Sequence, residues 1–570
     1  MSTLNMDNVD VVIIGAGPTG LMLACQLSLY GIKFRIFDKS VNHTTQSRAL
    51  AVHARSLEIF DQLGITDEAI DCGEPIKEAS GFFNGKKRMK LDFNILRTQN
   101  ITKYPFVLIL EQSKTEELLE NFLLKRGIQI DRQCELIDFV EINDGNNELI
   151  ECTIKDYRHN TNEKLIKIRT KYLCGCDGAH SKVRKQLQLP FPGNTYEETL
   201  FVLDCHVNFL DEAKTSPTTT ADGMQLNITK SGFCLFFRLK GHENDNRFRL
   251  IGTIPHELLN SSNQLQFEDI QSRISQQIER RIHLYDDLWI STYRTHHRHV
   301  ETFSLHNKYF LVGDAAHIHS PVGGQGMNTG LQDAFNLGWK LAFNIQEKVK
   351  NNNELLKTYS EERTGVARDL VRTTDRAFAF LTSRNWFIQF FILNIAPYLL
   401  QYIIFPLMNC VSSLREAYFK RASMIYINYR QNSFSMGENS KKDKIQPGDR
   451  LPYVYTHSNG LLSSTSTNDH DDYRVYFHFL VLINPKEVNA QKAFLFIQFI
   501  KNHYSHLIKI HQFYYSQETK EIFNAFNISK NSDGAGFLIR PDQYIAYCTK
   551  TFDTQHFDDY FSKYFRSKSA

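Results

Sequence analysis

None of the ten cysteines in this 570-residue chain stands in a Cys-x-x-Cys pair. That absence excludes dithiol exchange and the commonest structural zinc sites. Cys174 and Cys176 bracket Gly175 and read as part of a strand. The cysteine usage points to a reduced, intracellular chain, with a cytoplasmic location as the expectation. Charge of one sign is also missing. The formal net charge is +3, from 66 basic and 63 acidic side chains, so nothing suggests nucleic acid. The short run Lys441-Lys442-Asp443-Lys444 reads as a solvated linker. No basic region or long apolar core precedes Gly15, so no signal peptide is expected. The length exceeds one ordinary domain and implies two or three.

What is present is a set of three glycine-bearing motifs in fixed order. The first, Gly15-Ala16-Gly17-Pro18-Thr19-Gly20, follows the apolar run Val9 to Ile14. Gly15 permits a tight turn, Gly17 a close approach to a pyrophosphate, and Gly20 packing of the next helix on the sheet. That helix is predicted over Thr19 to Tyr30, with Gly31 as its stop. A strand from Ile32 to Phe37 then ends in Asp38, where an acid would bind a ribose hydroxyl. The second motif is Gly175-Cys176-Asp177-Gly178-Ala179-His180-Ser181. The third runs from Leu311 through Gly313-Asp314-Ala315-Ala316-His317 to Ser320-Pro321-Val322-Gly323-Gly324-Gln325-Gly326-Met327-Asn328. Its amides precede a helical pattern beginning near Met327, a place suited to negative charge on a reduced flavin. Metal binding by His317 and His319 with His296, His297 and His299 is the competing reading, and no acid or cysteine cluster completes such a site, so no metal is expected.

The rest of the chain divides by pattern. Gln112 to Arg126 has helical spacing ending at Gly127, and residues 134 to 174 alternate as a β-meander leading to Asp177. Alternation at Phe201, Leu203, Cys205, Val207 and Phe209, and again from Phe248 to Ile254, predicts an antiparallel substrate sheet inserted at about 190–290. From Asn385 to Leu414 no residue is charged. Pro397 and Pro406 predict two short helices with a break, packed against the FAD domain or a dimer partner, with superficial membrane contact as the alternative. Residues 431 to 446 read as linker, and Ser463 to Asp472 as a polar loop.

These residues carry a resemblance. The chain is similar to the FAD-dependent aromatic hydroxylases, single-component flavoprotein monooxygenases, in the phenol hydroxylase-like branch. The similarity rests on the three motifs, on Ser47-Arg48-Ala49 with Arg55-Ser56-Leu57-Glu58, and on Glu111-Gln112. It extends through Asp333-Ala334, Asn336 to Lys340, and Glu362-Arg363. It implies an α/β fold: a Rossmann-type FAD-binding domain over 1–385 with the inserted antiparallel sheet, a helical segment and linker over 386–446, and a thioredoxin-like domain over 447–570. Pro447 to Pro452 resembles the entry to that domain, which lacks CxxC and so has a structural or oligomeric role.

The resemblance further implies contacts to FAD from Gly15, Gly17, Gly20, Asp38, Arg48, Gln112, Asp177, Gly313, Asp314, Gly324, Gly326, Met327 and Asn328. Pro321 would lie beside the isoalloxazine, with NADPH or NADH as co-substrate and O2 and a small aromatic compound as substrates. A flavin C4a-hydroperoxide would deliver oxygen to the ring. The single GxGxxG agrees with a nucleotide that reduces FAD without a second Rossmann domain. Where phenol hydroxylases carry an acid after the matched arginine, this chain has Leu50 followed by His53, which makes His53 a candidate base, against the alternative of a packed or capping histidine. Two other classes stay open. One is another FAD-dependent oxidoreductase, whether halogenase, reductase or Baeyer–Villiger enzyme, although the three tryptophans form no WxWxIP signature. The other is a non-catalytic flavin-binding protein.

Overall fold

The computed structural model describes residues 7–44, 49–93, 101–144, 147–158, 164–210, 223–241, 246–254, 266–321, 323–438, 443–454, 473–484, 487–530, 532 and 534–568. The first strand, Asp7–Ile14, is apolar on both faces and buried from Val11 to Ile14. Burial on both faces is what a central strand of a parallel sheet requires. It pairs in parallel with Phe34–Phe37 on one side and Lys164–Gly175 on the other, and Tyr309–Leu311 extends the sheet. The chain enters Lys164–Gly175 through the expected antiparallel meander, Cys134–Asp144 and Asn147–Asp156. Helix Pro18–Leu29 packs against helix Gly326–Ile345, where a Cβ on Gly338 would lie 2.6 Å from Gln26.

A second sheet stands beside the first. Its eight strands run in the order His317–Ile318, Ile282–His299, Gly193–Phe209, Arg247–Thr253, Gly232–Arg238, Met224–Thr229, Glu78–Phe83 and Lys86–Asp92. The sheet therefore exceeds the expected insertion at about 190–290. The hairpin Glu78–Asp92 joins it, with Glu78–Phe83 parallel to Met224–Thr229. Its strand Glu-Ala-Ser-Gly-Phe-Phe is buried from Ala79 onward and shows no alternation to read. Helix Phe267–Ile278 covers one face over Phe201, Leu203, Cys205 and Val207. On the opposite face Leu200, Ile228 and Phe233 pack against Phe378, Ile392 and Leu393.

The C-terminal sheet orders Met436–Gly437, Ile545–Thr549, Ala535–Ile539, Phe477–Ile483 and Ile508–Tyr514. Phe477–Ile483 and Ile508–Tyr514 are parallel across helix Glu487–Tyr504, and the next two strands are antiparallel, a thioredoxin-like order. Part of the expected linker is thus a strand, Met436–Gly437, paired with Ile545–Thr549. The loop expected at 463–472 lies outside the described residues. Cys548 is buried.

This domain is not a separate lobe. Phe477 packs edge-on against Trp339 and Phe343 of helix Gly326–Ile345, with ring centroids 5.6 Å apart in both pairs. A fully buried ionic group lies beside that contact. Glu362 accepts both guanidinium nitrogens of Arg540, at 2.6 and 2.9 Å, and Lys340 Nζ at 2.8 Å. Arg540 also donates to Asp542. Burial alone would raise the Glu362 carboxyl, but Arg540 and Lys340 hold it well below the usual carboxylate range.

The segment after Asn385 departs from expectation. Two broken helices were expected, but the chain is helical throughout Trp386–Cys410. Two π turns, Phe391–Ile395 and Leu400–Ile404, precede Pro397 and Pro406 respectively. A proline lacks the N–H and its ring crowds the carbonyl four residues back. Widening the preceding turn absorbs both effects without a break.

Removing one partner of a buried ion pair leaves a charge uncompensated and costs about 3–5 kcal/mol. Arg540→Ala is expected to lower unfolding free energy by that amount in a urea titration. A loss under about 1 kcal/mol, the scale of an exposed pair, would contradict the reading.

Candidate active site

The glycine turn is built as its sequence requires. Gly15 has φ +100°, and a Cβ there would lie 2.4 Å from the Cys176 carbonyl oxygen, while one on Gly20 would lie 1.9 Å from that of Gly15. Neither position tolerates a side chain. Gly17 is different: nothing lies within 4 Å of the place its Cβ would occupy. That open space adjoins the start of helix Pro18–Leu29, which no side chain caps. Asp38 closes the turn, accepting from Ala16 N at 2.6 Å and Ser40 N at 2.7 Å.

The second motif meets the first. Cys176 N donates to Ile14 O at 2.7 Å, which brings Asp177 beside Gly15. Asp177 Oδ2 accepts from Lys182 N at 2.6 Å and Val183 N at 3.2 Å. Its Oδ1 is enclosed and has no hydrogen-bond partner among the described residues. A carboxylate oxygen in that state fits a ligand hydroxyl, and with the open space over Gly17 it makes the residues present a fit for FAD.

The third motif forms a turn and a helix start. Gly313 has φ +63°, and its N donates to Asp333 Oδ2 at 3.1 Å. The same oxygen accepts from His317 Nε2 at 2.8 Å, and Oδ1 from Arg363 Nε at 2.5 Å. Burial opposes ionisation of Asp333, but Arg363 and His317 outweigh it and hold the carboxyl below its ordinary value. Asp314, the next residue, is exposed on this fixed turn. Gly324 N closes a turn onto Pro321 O at 3.0 Å, with Gly323 and Gly324 both at positive φ; Val322 lies outside the described residues. Helix Gly326–Ile345 then begins without a side-chain cap, its first bond running from Thr329 N to Gln325 O.

Asn328 fastens this loop. Its Nδ2 donates to Ala51 O at 2.8 Å and Gly324 O at 2.9 Å, while Oδ1 accepts from His53 N and Ser56 Oγ. His53 Nε2 donates to Gly323 O at 2.9 Å. Burial lowers the His53 pKa, opposed by its bonds to the Gly323 and Gly324 carbonyls, so the ring is neutral and its Nε2 proton already engaged. Gln112 holds Ala49, donating from N to Ala49 O at 3.2 Å. Arg48, just before it, lies outside the described residues. The third motif adjoins both the first helix and the strand at Ala51: a Cβ on Gly313 would lie 2.7 Å from Thr19 Oγ1, and one on Gly324 2.9 Å from Ala51 Cβ.

The sequence pattern marked Asp333 and Arg363 without a role and His317 only as a metal-ligand candidate, and it missed Arg249. Arg249, fully buried, faces Asp204 across two strands, with Nε and Nη2 donating to its oxygens at 2.6 Å each. It also reaches Ala49 O at 3.5 Å. Only strand register brings these two together. A cavity of about 420 Å³ lined by Glu198, Ser231, Phe233, Leu381 and Ile392 includes none of the motif residues, and so is not this site.

His319 lies beneath the helix start. Its Nδ1 donates to Ser320 O at 2.7 Å, and its Nε2 is buried, 3.3 Å from where a Gly326 Cβ would stand. Burial, helped by His317, pushes its pKa down to about 4. A histidine lowered in the fold binds more protons unfolded, so its contribution is complete above 6.5 and falls away as pH drops toward about 4. His319→Gln is expected to flatten the acid limb of stability in that window, read as urea midpoints. Parallel limbs in the two proteins would refute it.

Comparison with known proteins follows the same geography. A family model for an FAD-binding domain matches residues 8–374, and one for the phenol hydroxylase C-terminal dimerisation domain matches 438–569, leaving 375–437 outside both. The 6-methylpretetramide 4-monooxygenase of Streptomyces rimosus is 32% identical over 382 residues, 66% of this chain and 63% of that protein. The match thus spans less than two thirds of that relative's length. Rifampicin monooxygenase of Streptomyces venezuelae is 30% identical over 368 residues, 64% of this chain and 70% of its own. Pentachlorophenol 4-monooxygenase of Sphingobium chlorophenolicum is 31% identical over 368 residues, 64% and 63% respectively. Among solved structures, the flavin-dependent monooxygenase PieE with FAD and substrate superposes at TM-score 0.74 and 19% identity, covering 98% of this chain and 97% of that one. At that identity the likeness is one of fold.

Proposed function

Because the chain belongs to the FAD-dependent aromatic hydroxylases, in their phenol hydroxylase-like branch, we propose that it hydroxylates a phenolic or related aromatic compound with NAD(P)H and O2. One oxygen atom enters a ring C–H bond and the other leaves as water, with the nicotinamide supplying two electrons. The observation that carries the reading is the Pro321–Asn328 loop. Two left-handed glycines are stapled by Asn328 to the strand at Ala51, and an uncapped helix start follows.

Bound FAD supplies the hydride acceptance and oxygen activation that no side chain here provides. The protein's part is to hold and orient it. Gly17 leaves open space for the pyrophosphate at the start of helix Pro18–Leu29, while Gly15 and Gly20 permit the close backbone packing that forms the turn. Asp38 takes a ribose hydroxyl and Asp314 a ribitol hydroxyl, while Asp177 offers the enclosed Oδ1. Gln112, bonded to Ala49, contacts FAD from that side, and Arg48 is assigned to FAD by the family's motif alone. The amides of Gly326, Met327 and Asn328 favour negative charge on the flavin's pyrimidine edge, with Gly313 and Gly324 shaping the turns and Pro321 flanking the ring.

His53 is a positioning residue in this account. Its neutral ring spends its proton on Gly323 O and so steadies the loop rather than exchanging protons with substrate. The buried Arg249–Asp204 pair braces the facing sheet against Ala49.

The expected result is a yellow protein that releases FAD in acid. It should oxidise NAD(P)H faster in the presence of an aromatic substrate, with label from 18O2 appearing in the product by mass spectrometry. Asp314→Ala should weaken FAD binding about ten- to a hundred-fold, the scale of a charge-assisted hydrogen bond. Failure to bind FAD, or nucleotide oxidation that never labels a product, would overturn the proposal.

A further inference from the structure

Helix Trp386–Cys410 presents an apolar face that the protein does not cover. Trp386 is 64% exposed, Phe387 65%, Tyr402 70% and Ile403 55%. Inward, Ile392, Leu393, Pro397 and Met408 are buried. Soluble monomers rarely leave a contiguous apolar surface of this kind without a partner.

The outward face is straight, and the π turns make it so. Exposed apolar residues recur every four positions, at Phe387, Phe391, Ile395, Leu399, Ile403 and Leu407. In a pure α-helix each such step overshoots a full turn by about 40°, so the stripe would wind about 200° around the helix over that length. Each π turn takes up an extra residue and returns about 100°. With two of them the drift cancels, and the stripe runs along one line.

Cations rim this line. Strand Lys86–Asp92 runs beside the helix, with Arg88 Nη1 donating to Leu393 O at 3.0 Å and Lys90 N to Gln401 Oε1 at 2.8 Å. Lys86, Lys87 and Lys90 on that strand are exposed. Arg384 stands before the helix, and Arg415, Lys420 and Arg421 follow it. Segments 86–90 and 384–421 together hold eight basic residues and one acid, Glu416; Lys90 is paired with Glu78 of the adjoining strand at 2.9 Å and Lys420 with Glu416 at 3.6 Å, which still leaves the rim net positive.

We propose that this face docks on an anionic lipid surface, with the helix lying in the plane of the interface. The apolar stripe enters the headgroup–acyl boundary while the basic rim meets lipid charge. The helix is long enough to cross a membrane, but its inner stripe is packed and hydrogen-bonded to the sheet, so it lies flat. A symmetric contact with a second copy would set the basic rims against each other. An anionic surface satisfies both features at once. The proposal is independent of the catalytic reading, since it concerns no residue of the flavin site.

The test is flotation of the FAD-loaded protein with vesicles of phosphatidylcholine, with and without phosphatidylglycerol. Binding is expected only with the anionic lipid and is weakened by salt. Lys86→Gln and Lys87→Gln should each cost about fivefold in partitioning. The triple variant Phe387→Ser, Tyr402→Ser, Ile403→Ser should stay with the soluble fraction while keeping its flavin. No flotation, equal binding to neutral vesicles, or unchanged flotation of the triple variant would overturn the proposal. So would a wild-type dimer in size-exclusion chromatography that the triple variant converts to monomer.

Discussion

A carboxylate with no access to water organises this molecule. Glu362 sits on the long helix Asn352–Leu381 and is neutralised from two directions, by Lys340 of the neighbouring helix and by Arg540 of the C-terminal sheet domain. Burial drives Lys340 down even so, with nearby Arg540 adding to the effect against the pull of Glu362. A buried pair of this kind contributes little net stability when intact and is costly when broken. Its consequence is therefore specificity of docking. The C-terminal domain has one seat, and leaving it strands charge on both sides.

From that seat a chain of polar contacts leads to the flavin loop. Arg55 Nη2 donates to the Asp542 carbonyl at 2.9 Å, and its Nη1 bonds Glu58 and Gln543 at 3.0 Å. Arg55 lies in the first turn of helix Ala54–Leu63, two residues after His53, whose ring holds Gly323. Ser56 in the same turn bonds Asn328. Two residues of the C-terminal domain thus stand behind the turn that fastens the loop. The C-terminal domain, with its single enclosed thiol, acts as a brace.

Local pattern made much of this legible. Gly15 to Asp38 declared its strand, turn, helix and acid, because Gly15 and Gly20 meet backbone clashes that only glycine avoids and Gly31 ends the helix at φ +64°. Helix Gln112–Leu124 and the meander from Cys134 were readable because apolar spacing matched a single period. What failed was what depends on distant partners. Arg540 and Glu362 are 178 positions apart, and Asp204 and Arg249 are joined only by register. The hairpin at Glu78–Asp92 carries no alternation, since Ala79 to Phe83 are all buried. Pro397 and Pro406 read as breaks because the sequence does not announce that a turn widens to admit them.

If the buried ionic seat joins the C-terminal domain to the flavin site, the two lose structure together. Trp339 reports the seat, since its ring contacts Phe477 across the junction and lies 5.3 Å from the Arg540 guanidinium. In a variant carrying Trp289→Phe and Trp386→Phe, Trp339 is the only tryptophan. A urea titration of that FAD-loaded protein, followed by tryptophan emission and by flavin fluorescence, is expected to give two superimposable transitions. Exposure of Trp339 at lower urea, with flavin still bound, would contradict the account.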